Sequence, residues 1–345
     1  MKRVFILGAG ASRFAGYPLS LELWQFIRDK SDSRSFNAKR RRDVLEEMDR
    51  ILKVLPPDEW DRPNLEKLFT LLELADREVG PFGIMHAKWE QIRPKVIWMI
   101  SEALQWHEYQ FQGALRAGSS SRGYLQNLGA SPDSESILSK WTMLLRKGDT
   151  LIEFNWDLLH EAALFRAEKW HYADGYGFVC ADAPAGISSP IKILKLHGSV
   201  NWAQENEQDC NPAIEYKAVF FAGSRDDHDI PGKSYGKENE GRNLVIPTYL
   251  KDMALNKLLV QLWNQAFDAL SNAGEIFVIG YSLYPADALT RQLLALALSR
   301  NFALKEIQVI SPGTGLDHWD SFCGAIGKER KSIPTTFEDW VRAVR

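Results

Sequence analysis

Cysteine is scarce in this chain of 345 residues. Cys180, Cys210 and Cys323 are odd in number and far apart, and no C-x-x-C pair occurs. That excludes a disulfide framework and the usual structural zinc modules, and it fits a reducing compartment. A surplus of either charge is missing too: 42 Lys and Arg stand against 45 Asp and Glu, for a net charge of -3. A surface built to neutralise phosphates is therefore not indicated, and no direct nucleic-acid binding is expected. Long apolar runs are absent. Val4 to Leu7, after Lys2 and Arg3, imitates a secretion signal, but such a signal needs about 7–15 apolar residues and a membrane span roughly 18. The expectation is a soluble, cytoplasmic protein without a membrane segment.

What is present is ordinary for a folded chain. With 45% hydrophobic and 25% charged residues, disorder and collagen-like repeats are ruled out. At roughly 100–200 residues per domain, the length suggests about two folding units, or one large unit carrying an insertion.

Residues 3–7 form a continuous apolar run of β type that stops at Gly8-Ala9-Gly10-Ala11-Ser12. A helical pattern opens after Pro18, with Leu19, Leu23, Phe26 and Ile27 on one face, because Pro suits a first helical turn. From about 39 to 146 the periodicity is helical, with Leu45, Met48, Ile51 and Leu52 on one face and a long helix from Ile92 to Leu115. Beyond 150, apolar runs alternate with helices again. Strands are expected at 150–154, 191–196, 244–247, 275–280 and 306–310, and helices near 157–168, 253–271, 286–299 and 315–325. With residues 3–7 this makes a doubly wound, parallel, Rossmann-like α/β sheet of about six strands with a large all-helical insertion. The sheet domain is expected over 1–35 and 147–345, and the insertion over 36–146. Residues 171–190 and 203–243 break the alternation; the second contains a β-like piece, Tyr216 to Phe221, and the polar segment 222–243 reads either as a lid or as disorder.

Four turns could carry chemistry, each at the carboxyl end of an expected strand. Gly8 to Ser12 stands where such a fold brings backbone N–H groups against a pyrophosphate. Arg13 occupies the place of the third glycine of G-x-G-x-x-G, no acidic residue closes a clear second strand, and no G-K-[ST] occurs; hydride-transfer dehydrogenases lose ground and a Walker A loop is absent. A purely structural tight turn is the alternative. Asn155 and Asp157, in the run Glu153 to Asp157, fall on alternate sides of the chain and could face one crevice, or one of them simply caps the helix beginning near Leu158. His197, followed by Gly198 and Ser199, offers a group titrating near neutrality beside a small residue, or a hydrogen-bonded structural histidine. Gly280 and Ser282 flank Tyr281 in the last turn and could place a hydroxyl and N–H groups beside a ribose, or serve as a helix entry. Amides, hydroxyls, one His and one Asp, with no metal cluster, describe a nucleotide pocket with one titratable group.

In combination these motifs resemble the Sir2 superfamily. Val4 to Ser12 with Gly16-Tyr17-Pro18 is similar to its NAD-binding opening, Asn155-Trp156-Asp157 to its Asn-x-Asp element, Lys195 to Ser199 to its His-Gly element, and Gly280-Tyr281-Ser282 to its ribose-contacting turn. The deacylases of that family carry two cysteine pairs for zinc and a Pro-Asp-Phe-Arg run, whereas here Pro18 is followed by Leu19-Ser20-Leu21. The chain looks more like the zinc-free prokaryotic Sir2-like proteins of antiphage defence, known for hydrolysing NAD. The resemblance implies NAD+ as substrate, no metal, and cleavage of the nicotinamide–ribose bond. His197 and Asn155 would be catalytic; Gly8, Ala9, Gly10, Ala11, Ser12, Pro18, Asp157, Gly198, Ser199, Gly280 and Ser282 would bind the dinucleotide. A deacylase, or a non-catalytic NAD or ADP-ribose sensor, is the competing reading. Because such a hydrolase must be held off, a homo-oligomer or a separate sensor is expected: a HerA-like ATPase, an Argonaute-like protein or a nucleotide-binding partner.

Three other features read as structural. Lys39 to Arg42 is expected to be a solvated helix start. Arg225 to Asp229 contains metal-capable side chains, but consecutive loop residues seldom converge on one ion, so no metal is assigned. Five of the twelve tryptophans, Trp60, Trp89, Trp98, Trp106 and Trp141, fall in the helical block, with core packing as the default and an interface as the alternative.

Overall fold

The computed structural model describes residues 1–31, 38–54, 56–60, 63, 65, 67–70, 86–118, 122–178, 186–204, 216–218, 242–244, 257–284, 287–313 and 315–344. Cys180, Cys210 and the tract Arg225 to Asp229 lie outside them, as does the segment 222–243 except its last two residues.

The first strand, β1 (Arg3–Leu7), is the centre of the molecule because it is apolar from Val4 onward and buried on both faces, as a parallel strand under two layers of helices must be. It pairs on one side with β2 (Thr150–Glu153), which pairs in turn with β3 (Lys192–Lys195). On its other side lie β7 (Glu275–Ile279), β8 (Glu306–Ile310) and β9 (Lys331–Ile333). All five pairings are parallel. The spatial order β3-β2-β1-β7-β8-β9 runs third, second, first, fourth, fifth, sixth among the strands of this sheet. That is the Rossmann order, and its direction reverses between β1 and β7.

The helices α1 (Leu23–Ser31) and α2 (Ala38–Ile51) follow β1, and the 32-residue α3 (His86–Ala117) packs against both. Then come α4 (Arg122–Asn127) and α5 (Ser134–Leu144), the last helix before β2. α6 (Leu159–Arg166) and α7 (Tyr172–Gly175) lie between β2 and β3. α8 (Lys257–Ser271) precedes β7, α9 (Ala288–Arg300) and α10 (Gly315–Ala325) flank β8, and α11 (Phe337–Ala343) comes last. Apolar burial is continuous from the sheet into the helical block, joining Val4, Phe5, Ile6 and Leu7 of β1 to Val44, Met48, Phe69 and Met99. Among the described residues no helix is long and apolar enough to cross a membrane.

One expected strand is not part of this sheet. Of residues 244–247 only Leu244 is described, and it ends β6 (Arg242–Leu244), which pairs antiparallel with β4 (Gly198–Gln204). β5 (Tyr216–Ala218) lies on β4's other edge. β4 begins just after β3 but belongs to a separate three-stranded sheet, in which both of its partners are antiparallel. The sixth strand is instead β9, whose three residues are exposed or half-buried. It has no apolar run to announce it, as befits a short polar edge.

Trp141 on α5 shows how the helices are fastened to the sheet. Fully buried, it meets Phe5 of β1 edge-on at 5.4 Å, Phe337 at 5.3 Å and His160 at 5.8 Å, with Trp340 tilted at 6.4 Å. Trp98 is buried as well, while Trp60 is partly exposed. Truncating Trp141 to Ala should cost about 3–5 kcal/mol, read as a lower urea midpoint; a variant as stable as the parent would show that this cluster is not what fastens α5 and α11.

Candidate functional site

The four turns expected from the sequence do lie at the carboxyl ends of β1, β2, β3 and β7, which are consecutive in the sheet. Open α/β sheets bind ligands there, at the point where strand order reverses.

The turn after β1 and the turn after β7 touch backbone to backbone. Gly8 donates its N–H to Ile279 O at 3.1 Å, and Gly10 to Gly280 O at 3.0 Å. A methyl group on Gly8 would lie 2.7 Å from Gly280 O and from Tyr281 Cα; one on Gly10 would lie 2.7 Å from Gly280 Cα. Gly280 itself has φ +62° and presses on Ala11 N and Gly10. The three glycines are thus explained by the approach of two protein turns. The Cα sides expected to admit a pyrophosphate are filled by protein, and what remains open to a ligand is the half-exposed outer side of Ala9 and Gly10.

Asn155 is buried, and its Nδ2 donates to Gly8 O at 3.0 Å and to Ser12 Oγ at 3.1 Å. Asp157 accepts the Leu159 N–H at 3.1 Å, at the start of α6, and is also hydrogen-bonded to Ser12. Burial raises its pKa above the ordinary carboxylate value, with Lys195 and these hydrogen bonds opposing. Ser12, Asn155 and Asp157 therefore form one connected group in which Asp157, one residue ahead of the N-cap Leu158, also takes the first N–H of α6. His197 is 9% exposed and meets Phe154 edge-on at 5.0 Å; Phe154 stacks on Tyr281 at 4.3 Å. The His197 carbonyl accepts from Trp156 Nε1 at 3.0 Å.

The remaining expected residues are tied to other parts of the chain. Gly198 turns the backbone with φ +77°, and Ser199 is buried with its hydroxyl on Asn201 Oδ1 at 2.6 Å, a neighbour in turn of Tyr176. Ser282 is exposed, and its carbonyl lies 3.0 Å from His318 Nδ1. Pro18 is half-buried ahead of the short 3-10 turn Ser20–Glu22, and α1 begins only at Leu23.

Beneath the strand ends is a buried charge cluster that the sequence reading does not single out. Lys195 Nζ reaches Glu161 Oε1 at 2.7 Å and Glu153 Oε2 at 3.3 Å, and donates to the Asp157 carbonyl, with all three charged side chains fully buried. Glu153 and Lys195 are register partners on neighbouring strands. Desolvation pushes both glutamates upward, against the pull of Lys195. The available signal is a charge inside each of two apolar strand runs, Glu153 and Lys195, which a buried parallel strand tolerates only when paired.

Glu108 of α3 is the second omission. The Tyr17 hydroxyl donates to its Oε2 and Gln112 Nε2 to its Oε1 at 2.6 Å. Tyr17 belongs to the segment that follows the glycine turn, so the helical block grips that turn from behind. Burial raises Glu108 to about 7, against these hydrogen bonds. Nothing in the α3 pattern distinguishes this glutamate from solvent-facing ones. Among the described residues no group of three or more His, Cys, Asp or Glu is arranged to hold a metal ion.

No protein-family model matches the chain, and neither does any curated protein. The solved structures that resemble it include Sir2 proteins. A structure concerned with the basis of sirtuin substrate affinity aligns over 99% of this chain and 91% of its own, at 16% identity and a TM-score of 0.39. Sir2 bound to an acetylated peptide aligns over 99% and 90%, at 15% identity and a TM-score of 0.36.

Two outcomes follow from the geometry. Gly280→Ala forces a side chain into a left-handed position already occupied by Gly10 and Ala11, so a loss of about 1–3 kcal/mol is expected in denaturant unfolding; an unchanged midpoint would mean the two turns separate freely. Glu108 keeps its proton up to about pH 7 in the folded state, against an ordinary value of 4.5. The stability this contributes is complete below about pH 4.5 and is lost as pH rises through about 7. Unfolding free energy should therefore fall by roughly 3 kcal/mol over that window on account of this group, and Glu108→Gln should lessen the slope; a variant with the parent slope contradicts the assignment.

Proposed function

We propose that this chain is an NAD+ hydrolase that uses water to cleave the nicotinamide–ribose bond, releasing nicotinamide, ADP-ribose and a proton. The observation that supports it most is the hydrogen-bonded group Ser12–Asn155–Asp157 at the strand ends beside the reversal of strand order, with His197 on the next strand end.

In this reading the pyrophosphate lies along the outer side of Ala9 and Gly10. Asn155, already held by Gly8 and Ser12, keeps the ribose and the attacking water in line. His197 accepts a proton from that water or from a ribose hydroxyl, work for which an imidazole, with its ordinary pKa near neutrality, is suited. Breaking the bond to the positively charged nicotinamide needs no acid, since the leaving group departs neutral as the ribose develops oxocarbenium character. Asp157 acts from behind, fixing Ser12 and the start of α6, and Ser199 holds Asn201, so neither is assigned a direct contact with substrate. Sir2-like hydrolases of this kind suit an antiphage effector restrained until a second copy or a separate sensor protein engages it, and that role is part of the proposal.

The test is nicotinamide release from NAD+ by the purified chain, with and without an acetylated peptide and candidate partners. Peptide-independent release that His197→Ala and Asn155→Ala each reduce by roughly 10²-fold or more, with unchanged circular dichroism, is the expected result. Release that requires the peptide would make the chain a deacylase. Binding without release would make it a sensor.

A further inference from the structure

A groove of about 570 Å³ opens on the other side of the molecule, lined in part by Arg116, Arg166, Glu168, His171, Ser188 and Ser189. Its position follows from the topology. α6 starts at the carboxyl end of β2 and carries the chain back to Arg166, while Ser188 and Ser189 lead into the amino end of β3, where Gly148 N–H bonds to Pro190 O at 2.8 Å. The groove therefore lies at the amino ends of β2 and β3, away from the four turns.

Its charges set it apart. Arg116 stands in the last turn of α3 and Arg166 in the last turn of α6, close enough that Arg116 disfavours the charge on Arg166. Neither forms an ion pair among the described residues; Arg166 donates to Gln112 Oε1. Burial lowers the Arg166 pKa, and Glu108 and Glu135 counter this at a distance. Glu168 is the one carboxylate among the described residues of the groove, and it bridges to neither arginine. The Ser188 residue is exposed, whereas the Ser189 hydroxyl is engaged by Asp174 at 2.6 Å. His171 accepts the Ala173 N–H on Nδ1, so its other ring nitrogen carries the proton and is a donor. Two arginines lining one groove that no carboxylate bridges among the described residues, with Ser188 and His171 also lining it, are residue types suited to an oxyanion. The planar guanidinium fork matches a phosphate's oxygens, and a phosphate's charge of about -1.5 to -2 offsets both arginines at once.

We propose that this groove is a binding site for a phosphate-bearing small molecule, separate from the strand-end site and independent of the hydrolase reading. The chain Arg166–Gln112–Glu108–Tyr17 then connects the phosphate to the segment behind the glycine turn, so that an occupant of the groove is linked to the strand ends through side chains that are already bonded.

The experiment titrates inorganic phosphate and pyrophosphate into the full chain by calorimetry and phosphorus NMR line broadening. Arg116→Ala, an exposed substitution, should weaken binding about tenfold or more, the worth of a charge-assisted hydrogen bond, and Glu168→Gln should tighten it by removing a like charge. Equal affinity in Arg116→Ala, or no binding by the parent at millimolar phosphate, overturns the proposal. So does binding that persists in Arg116→Ala and disappears in Asn155→Ala, which assigns the phosphate to the strand ends.

Discussion

The contact on which the site depends is backbone against backbone: the turn after β1 lying on the turn after β7. Gly8 and Gly10 each donate an N–H across it, and the three glycines leave no room for a side chain. In a doubly wound sheet these two strands are where the order of connection reverses, and their turns ordinarily splay to form the ligand crevice. Here they are joined, so the crevice is floored by protein. Its walls must come from the next turns outward, which carry Asn155 and His197, the two residues that the proposed reaction uses.

That puts weight on how β2 and β3 end. Both terminate over a charge cluster that water cannot reach, with Glu153 and Lys195 opposite one another and Glu161 supplied by α6. One buried ammonium facing three buried carboxyl groups, counting Asp157, cannot stabilise all of them as anions; desolvation raises each carboxyl, and protonation of part of the set is the less costly state. Such a cluster contributes little net stability compared with an apolar filling. What it does achieve is positional: Lys195 holds the Asp157 carbonyl and thereby the short segment from which Asn155 projects, while its own strand leads directly to His197.

Much of this is legible in the sequence, for a physical reason. A parallel strand buried on both faces, such as β1, must be a continuous apolar run, and β2, β3, β7 and β8 are apolar enough to declare themselves too, as do the turns that close them. Leu244 joins a different sheet because an apolar run cannot say which edge it will find, and β9 is invisible because an edge strand of three exposed or half-buried residues needs no such run. The four turns can be put in order but not sorted by role. Asp157's bond to Leu159 is local, but its bond to Ser12, and whether Gly8 makes room for a phosphate or for Gly280, depend on contacts between residues more than a hundred positions apart, which local pattern does not encode.

The helical block shows the same limit from another side. Periodicity marks it as helical, yet nothing in that pattern tells that its longest helix reaches back to the site. Glu108 takes the Tyr17 hydroxyl and His107 Nε2 lies 2.9 Å from Ala15 O, both in the segment after the glycine turn. Gln105 Nε2 donates to Val200 O at 2.6 Å, in the strand that follows His197. Three positions within about one turn of α3 thus hold the chain just beyond the first turn and just beyond the third. A turn floored by glycines has little stiffness of its own, because glycine surrenders more conformational freedom on folding than any other residue. The block behind it supplies that stiffness, which makes the helical segment a structural partner of the strand-end site.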